Sequence, residues 1–181
     1  MAYTTLAEVK TFCQVTVAGD DTLLTAILAS AEEVVENYTQ RVFDAAADSI
    51  QTFTRLSSVP NRFDGQKLYF FTELAATATS ITDTPTVIYL PENGPPYYGC
   101  MITAGTWAYP TVSITGKWGY STAPPADVEL AVWRICKWLY DMRHSTSGEM
   151  VVTPEGQVLI PEGLPSDIKV LLNPYRKVRV A

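Results

Sequence analysis

Hydrophobic residues recur at helical spacing in two segments near the start of the chain. Thr5 and Glu8 match a capping box, in which each side chain accepts a hydrogen bond from a backbone N–H at a helix start. A short helix is therefore predicted to about Val15, and after a break at residues 19–22 a longer helix runs to about Gln40. The apolar stripe of this longer helix consists of Leu23, Leu24, Ile27, Leu28, Ala31, Val34, Val35 and Tyr38.

The periodicity changes from helical to alternating at Ser49. Residues 50–56 alternate apolar and polar side chains, as in a half-buried strand, and turn residues follow at 60–65. This region predicts an antiparallel β unit of about five or six strands. The other strand candidates are Lys67–Thr72, Ser80–Asp83, Thr86–Leu90, Cys100–Thr103 and Thr111–Tyr120.

A third helix is predicted after the proline pair at 124–125, because proline can precede or open a helix but not lie inside it. This helix covers residues 126 to about 144, and Trp133, Trp138 and Tyr140 widen its apolar stripe. A helix with so much aromatic and apolar surface is either central to the core or in contact with neighbours on more than one side.

The C-terminal region has a different composition. Residues 151–160 are predicted to form a hairpin, and residues 165–172 a short last helix. Beyond it, Arg176, Lys177 and Arg179 alternate with valines. This alternation fits a strand that pairs with a sheet edge of another chain, and it also fits a frayed, solvated terminus.

Together these elements predict an α+β fold. It comprises a core of three to four helices, an inserted antiparallel β unit, and a C-terminal hairpin, short helix and extended tail. The predicted division assigns residues 1–48 and 114–148 to the helical core, 49–113 to the β domain and 149–181 to the C-terminal elements.

Composition and charge limit the function classes. With 181 residues and 47% hydrophobic content, the chain suits one domain with an elaboration, or one domain plus a small second one. Its formal net charge of −6 disfavours tight nonspecific binding of nucleic acid. No apolar run approaches the roughly 20 residues that span a bilayer, and the N-terminus lacks a signal-peptide pattern, so a cytosolic protein without a membrane partner is expected.

The single histidine does not indicate catalysis. His144 lies near Ser145, Ser147 and Asp141, but no nucleophile motif surrounds them. The C-terminal end of a helix favours histidine for a structural reason, since its charged form complements the helix dipole.

Carboxylates also have structural explanations. Asp127 and Glu129 lie in the first turn of the third helix, where negative charge is stabilised by the dipole. Glu32, Glu33 and Glu36 are most simply a solvated helix face, although in a ring they could line a pore or face a neighbour.

The three cysteines, Cys13, Cys100 and Cys136, are far apart and include no Cys-x-x-Cys pair, so they are predicted to be structural thiols rather than a disulfide framework or a zinc site. No phosphate-binding glycine motif is present either. We therefore predict no catalytic residue, no cofactor and no metal site.

Four aromatic residues in the β unit leave alternatives open. Trp107, Tyr109, Trp118 and Tyr120 could form a stacking platform for a sugar or a base, pack in the core of the unit, or contribute to an interface. Core packing is the favoured interpretation.

Three stretches resemble the head–tail connector (adaptor) proteins of long-tailed bacteriophages, of the type found in phage HK97, and of related gene transfer agents. The first is residues 23–43, a long helix that ends in Y-T-Q-R-V-F. The second is residues 112–143, where V-S-I-T-G-K-W-G-Y is followed by P-P-A-D-V-E-L-A-V, and the third is residues 164–179 with L-P-S-D-I-K-V-L-L-N-P-Y-R-K. The resemblance covers less than half of the chain.

The resemblance implies a structural, non-enzymatic protein in the neck of a virion. It implies a ring of about twelve copies under the portal, which extends the channel for duplex DNA and binds neck or tail proteins. Tyr175, Arg176, Lys177 and Arg179 would contact the portal. In such a ring, Trp133, Trp138 and Tyr140 are the candidates for contacts between copies.

Other functions stay open at the level of sequence. The runner-up is a different neck or tail-completion protein. A carbohydrate-binding module on the β insertion, or a small hydrolase, is the alternative from another class.

Overall fold

The fold consists of two compact units built from separate parts of the chain. The computed structural model describes residues 3–54, 63–64, 66–82, 85–107, 111–142, 151–152, 158–159 and 163–177. Residues 1–41 and 125–181 form a helical unit, and residues 42–124 form a β unit. The predicted α+β class is confirmed.

The boundaries of the units differ from the predicted ones at 48/49 and 113/114. The segments on both sides of the β strands bond to each other: the Tyr120 N–H donates to the Val42 carbonyl at 2.7 Å, and the Ala45 N–H to the Ser121 carbonyl at 3.0 Å. These bonds place residues 42–48 and 114–124 in the β unit.

Helices make up most of the first unit. In the part of the chain that the structure describes, they are α1 (Leu6–Cys13), α2 (Asp21–Thr39), α3 (Ala126–Met142) and α4 (Ser166–Leu172), with short 3₁₀ turns at Ala18–Asp20 and Asn173–Tyr175. Helix α3 packs against the other three. Val151–Val152 pairs antiparallel with Val158–Leu159, as in the predicted hairpin.

The ends of the first two helices follow local rules. The Glu8 N–H donates to Thr5 Oγ1 at 3.3 Å and the Thr5 N–H donates to Glu8 Oε2 at 2.8 Å, so the predicted capping box is confirmed. Gln14 and Gln40 cap the C-terminal ends of α1 and α2, and both adopt left-handed conformations, with φ of 59° and 58°.

The described strands of the β unit are β1 (Ser49–Thr54), β2 (Phe63–Asp64), β3 (Lys67–Leu74), β4 (Ser80–Ile81), β5 (Val87–Leu90), β6 (Tyr97–Ile102) and β7 (Thr111–Gly116). They form two antiparallel sheets, with strand orders β1-β7-β4 and β2-β3-β6-β5. Strand β2 was not predicted, because Phe63 and Asp64 were assigned to the turn residues at 60–65. Strand β6 begins at Tyr97, three residues earlier than predicted and directly after Pro95 and Pro96.

Both sheets contribute side chains to the core of the β unit. Leu68 and Cys100 face each other across β3 and β6, and Phe53 and Val112 across β1 and β7. The core consists of Phe53, Phe63, Leu68, Leu74, Ile81, Cys100, Ile102, Trp107, Val112, Ile114 and Trp118.

Candidate interaction surfaces

Residues 173–177, which follow α4 and include three of the predicted docking residues, contact the C-terminal end of α2. We call them the C-terminal segment. The Tyr38 hydroxyl donates to Asn173 Oδ1 at 2.7 Å, and the Arg176 guanidinium carbon lies 5.7 Å from the centroid of the Tyr38 ring. The Lys177 N–H donates to the carbonyl of Thr39 at 2.9 Å. These contacts fix the backbone of this segment while the Arg176 side chain stays exposed.

A second contact joins this segment to α3. The half-buried Tyr175 donates its hydroxyl to Asp127 Oδ2 at 3.4 Å, in the first turn of that helix. Asp127 and Glu129 both lie in this turn, as predicted. Arg179, the fourth predicted portal contact, lies outside the described residues.

The three aromatic residues of α3 that were predicted at a ring interface are all half-buried. Trp133 Nε1–H donates to Thr4 Oγ1 at 2.7 Å, and the Tyr140 hydroxyl donates to Asp20 Oδ2 at 2.6 Å. These two side chains therefore hold the segments before α1 and α2 against α3. Their contact with another copy stays a prediction.

Trp138 lies instead in an open groove of about 390 Å³, which we call the α3 groove. Two cations border it: Arg134 pairs with Asp167 at 2.7 Å, and Lys137 pairs with Asp141 at 2.8 Å. Its lining combines apolar and charged side chains: Phe12, Arg134, Lys137, Trp138, Pro165, Asp167 and Ile168.

The acidic side chains of α2 are not simply a solvated face. The Tyr3 N–H donates to Glu32 Oε1 at 2.6 Å and the Tyr3 hydroxyl to Glu36 Oε1 at 2.7 Å, whereas Glu33 is exposed. Sequence reasoning missed Tyr3, whose signal was an aromatic residue two positions before the helix cap. No basic residue occurs between Asp21 and Thr39, so every charged side chain of α2 is acidic.

The four-stranded sheet of the β unit has an exposed apolar side. Tyr69 and Phe71 on β3 are 41% and 76% exposed. Tyr69 lies opposite Gly99, where a Cβ atom would come within 2.6 Å of the Leu68 carbonyl oxygen, so only glycine fits. From the strand register, this surface, which we call the outer aromatic face, comprises Tyr69, Phe71, Ile88, Leu90 and Met101.

Two of the four aromatic residues considered for a stacking platform are core residues. Trp107 Nε1–H donates to the Gln66 carbonyl and Trp118 Nε1–H to the Ser49 carbonyl, both at 2.9 Å, and both rings are buried. A bonded, buried indole has no free face for a ligand, so core packing is correct for these two. Tyr120 is half-buried, and Tyr109 lies outside the described residues.

The groups considered for chemistry have structural surroundings where the structure describes them. Cys13, Cys100 and Cys136 are free and buried, as predicted, and burial raises the pKa of the Cys100 and Cys136 thiols to about 12. Asp141 is paired with Lys137. His144, Ser145 and Ser147 lie outside the described residues.

Two other kinds of feature are absent from the described part of the chain. It contains no cluster of three or more potential metal ligands. It also contains no helix long and apolar enough to cross a membrane.

Comparison with known proteins confirms the class predicted from the sequence. Residues 3–80, from α1 to the start of β4, match the family model of the phage gp6-like head-tail connector protein. This match confirms the resemblance to phage head–tail connectors, and with it the class of structural connector of a phage or phage-like particle. Among curated proteins, none matches the sequence significantly.

Three solved structures share the fold over nearly the whole chain. A chain from the neck of an empty gene transfer agent (GTA) particle, computed with C6 symmetry, is 16% identical, with a TM-score of 0.65 over 99% of this chain and 92% of that chain. A chain from the neck of a native GTA particle with C12 symmetry is 17% identical, with a TM-score of 0.52 over 96% and 90%. A chain from the virion of a native GTA particle is also 17% identical, with a TM-score of 0.53 over 99% and 92%.

Proposed function

We propose that this connector forms a ring of about twelve copies under the portal of a phage-like particle, extends the DNA channel and binds the next neck or tail proteins. The family match over residues 3–80 carries this proposal. The similar folds in GTA necks of C6 and C12 symmetry support it, because such necks contain identical copies around an axis.

The portal contact is assigned to the C-terminal segment. Tyr175, Arg176 and Lys177 are held in place by α2 and α3, so the segment needs little further ordering on docking. Together with Arg179, these residues supply three cations and one aromatic side chain. Arginine and tyrosine are both enriched in protein interfaces.

Contacts between copies are assigned to α3. Trp138 lines the α3 groove, while Trp133 and Tyr140 keep the surrounding segments in place. The outer aromatic face of the β unit is the proposed attachment surface for the next neck or tail protein, because contiguous exposed aromatic side chains are typical of docking sites.

The channel role requires that DNA is not retained. A net charge of −6 suits a wall along which duplex DNA slides, since positive walls would bind phosphates. The proposal therefore includes DNA as a passing partner without sequence-specific binding.

The test is the native mass of the protein over a wide concentration range, alone and with the portal of the same particle. We expect a ring, or a monomer that joins the portal in a fixed stoichiometry. Deletion of residues 174–181 should abolish portal binding and leave ring formation intact. If the protein does not bind the portal but binds a tail component, it is another neck or tail-completion protein instead.

A further inference from the structure

Helix α2 has an exposed face opposite the stripe by which it packs into its own unit. Its buried positions are Leu24, Leu28, Ala31, Val35 and Thr39. Residues three or four positions apart share one side of a helix. The opposite side, which we call the α2 outer face, comprises the exposed residues Thr22, Leu23, Ala26, Ala29, Ser30, Glu33 and Asn37.

The α2 outer face is shaped for close approach. Ala26 and Ala29 at its centre have small side chains, so an aromatic ring can come near the helix backbone. Glu33 is its one charged residue, and the rest of α2 adds only further acidic groups. The face therefore has small, uncharged side chains at its centre and one negative charge, at Glu33.

The α3 groove lies on a different side of the helical unit. Helix α3 packs on α2 through its buried residues, whereas Arg134, Lys137 and Trp138 lie on its remaining surface, between Phe12 of α1 and Ile168 of α4. The α2 outer face and the α3 groove are thus two separate surfaces of the helical unit, formed by different residues.

A ring of more than two copies requires such a pair of unlike surfaces. Each copy binds the next through one surface and the previous one through another, whereas a two-fold dimer uses a single self-complementary surface. We propose that the α2 outer face of one copy binds in the α3 groove of its neighbour, with Glu33 beside Lys137 and with Ala26 and Ala29 against Trp138. This inference rests on the proposed ring.

The charges on the two surfaces are complementary. Two cations and one carboxylate line the groove, while the α2 outer face carries one carboxylate, Glu33, and α2 contains no basic residue. The Arg134 and Lys137 side chains are 41% and 44% exposed, and their own partners, Asp167 and Asp141, are more exposed still. Exposed pairs of this kind are weakly held, so each cation can accept a second carboxylate from a neighbour.

Charge reversal at the two surfaces tests the proposal. Glu33→Lys and Lys137→Glu should each raise the concentration at half-assembly about tenfold or more, measured by sedimentation velocity, because like charges then face each other. The matched controls Glu92→Lys and Lys117→Glu make the same charge changes in the β unit, outside the proposed surfaces, and should leave assembly unchanged. Unaltered melting temperatures establish that the variants are folded, and Glu33→Gln and Lys137→Gln serve as milder replacements for a variant that is not.

Mixing separates a contact between copies from an effect within one. Equal amounts of Glu33→Lys and Lys137→Glu chains should assemble together at nearly the wild-type concentration, because each reversed surface meets its reversed counterpart. A mixture no better than either variant alone, or variants that assemble normally, would overturn the assigned surfaces and leave the proposed function standing. Wild-type protein that forms no ring, alone or on the portal, would overturn both.

Discussion

Arg176 lies over the ring of Tyr38, with 5.7 Å between the guanidinium carbon and the ring centroid, although the two residues are far apart in the chain. The same tyrosine donates its hydroxyl to Asn173. Tyr38 therefore contacts the C-terminal segment at two points, Asn173 and Arg176. This is the contact by which the helical unit orients the proposed portal-docking residues.

Replacing Tyr38 should release the C-terminal segment. Tyr38→Phe removes the hydrogen bond to Asn173, worth about 1 kcal/mol, whereas Tyr38→Ala also removes the stacking of Arg176, worth about 0.5–1 kcal/mol at an exposed site. Hydrogen exchange at the Lys177 amide, which is bonded to Thr39, should become faster in the order wild type, Phe, Ala. Portal binding should weaken in the same order, and equal protection of Lys177 in all three proteins would contradict this account.

Two tryptophans should respond oppositely to truncation. Trp118 is buried against Phe53 and Phe70, so Trp118→Ala should lower the free energy of unfolding by about 3–5 kcal/mol. Trp138 is half-buried in the α3 groove, so Trp138→Ala should cost the isolated chain only about 1 kcal/mol and act mainly on ring assembly. Denaturant unfolding and sedimentation of both variants give the comparison. A large loss of monomer stability for Trp138→Ala would mean that it is a core residue.

The capping box of α1 should make the protein sensitive to acid. Hydrogen bonds from the Thr5 N–H, and then from the Thr4 and Thr5 hydroxyls, lower the pKa of Glu8 below its ordinary value of 4.5. A lowered pKa in the folded state means that this stabilisation is complete above pH 4.5 and disappears as the pH falls through the folded value.

The measurement is the melting temperature between about pH 3 and pH 6 for wild type and Glu8→Gln. Above pH 4.5 the wild type should melt higher than Glu8→Gln, and the difference should shrink as the pH falls further. A constant difference would show that ionised Glu8 does not contribute through its charge.

The cysteines should be inert in the folded protein. Burial raises the pKa of Cys100 and Cys136 to about 12 and also raises that of Cys13, so almost no thiolate is present near pH 8. A thiol reagent should therefore react slowly with the native protein and rapidly with all three cysteines after denaturation. Fast reaction of one thiol under native conditions would show that its part of the core opens readily.

Elements with local signals were predicted well. The stripe of α2, the capping box of Thr5 and Glu8, and most β strands depend on residues a few positions apart, and their outlines agree with the structure. The connector class could also be predicted from the sequence, because the three stretches that resemble phage connectors occur in the same order as in that family. The two-residue strand β2 was missed because its residues were assigned to a turn. The unit boundaries differ from the predicted ones because they depend on hydrogen bonds between distant segments.

The sequence by itself thus determined the α+β class, the helices and the family resemblance, because these follow from periodicity and from short motifs. Only the tertiary structure decided that Trp107 and Trp118 are buried, that Tyr3 binds Glu32 and Glu36, and that Arg176 stacks on Tyr38. Only the tertiary structure also decided that α1, α3 and α4 enclose a groove. The physical reason is that these contacts join residues that are distant in the chain and are brought together by packing. The identity of one residue does not specify which distant residue it contacts.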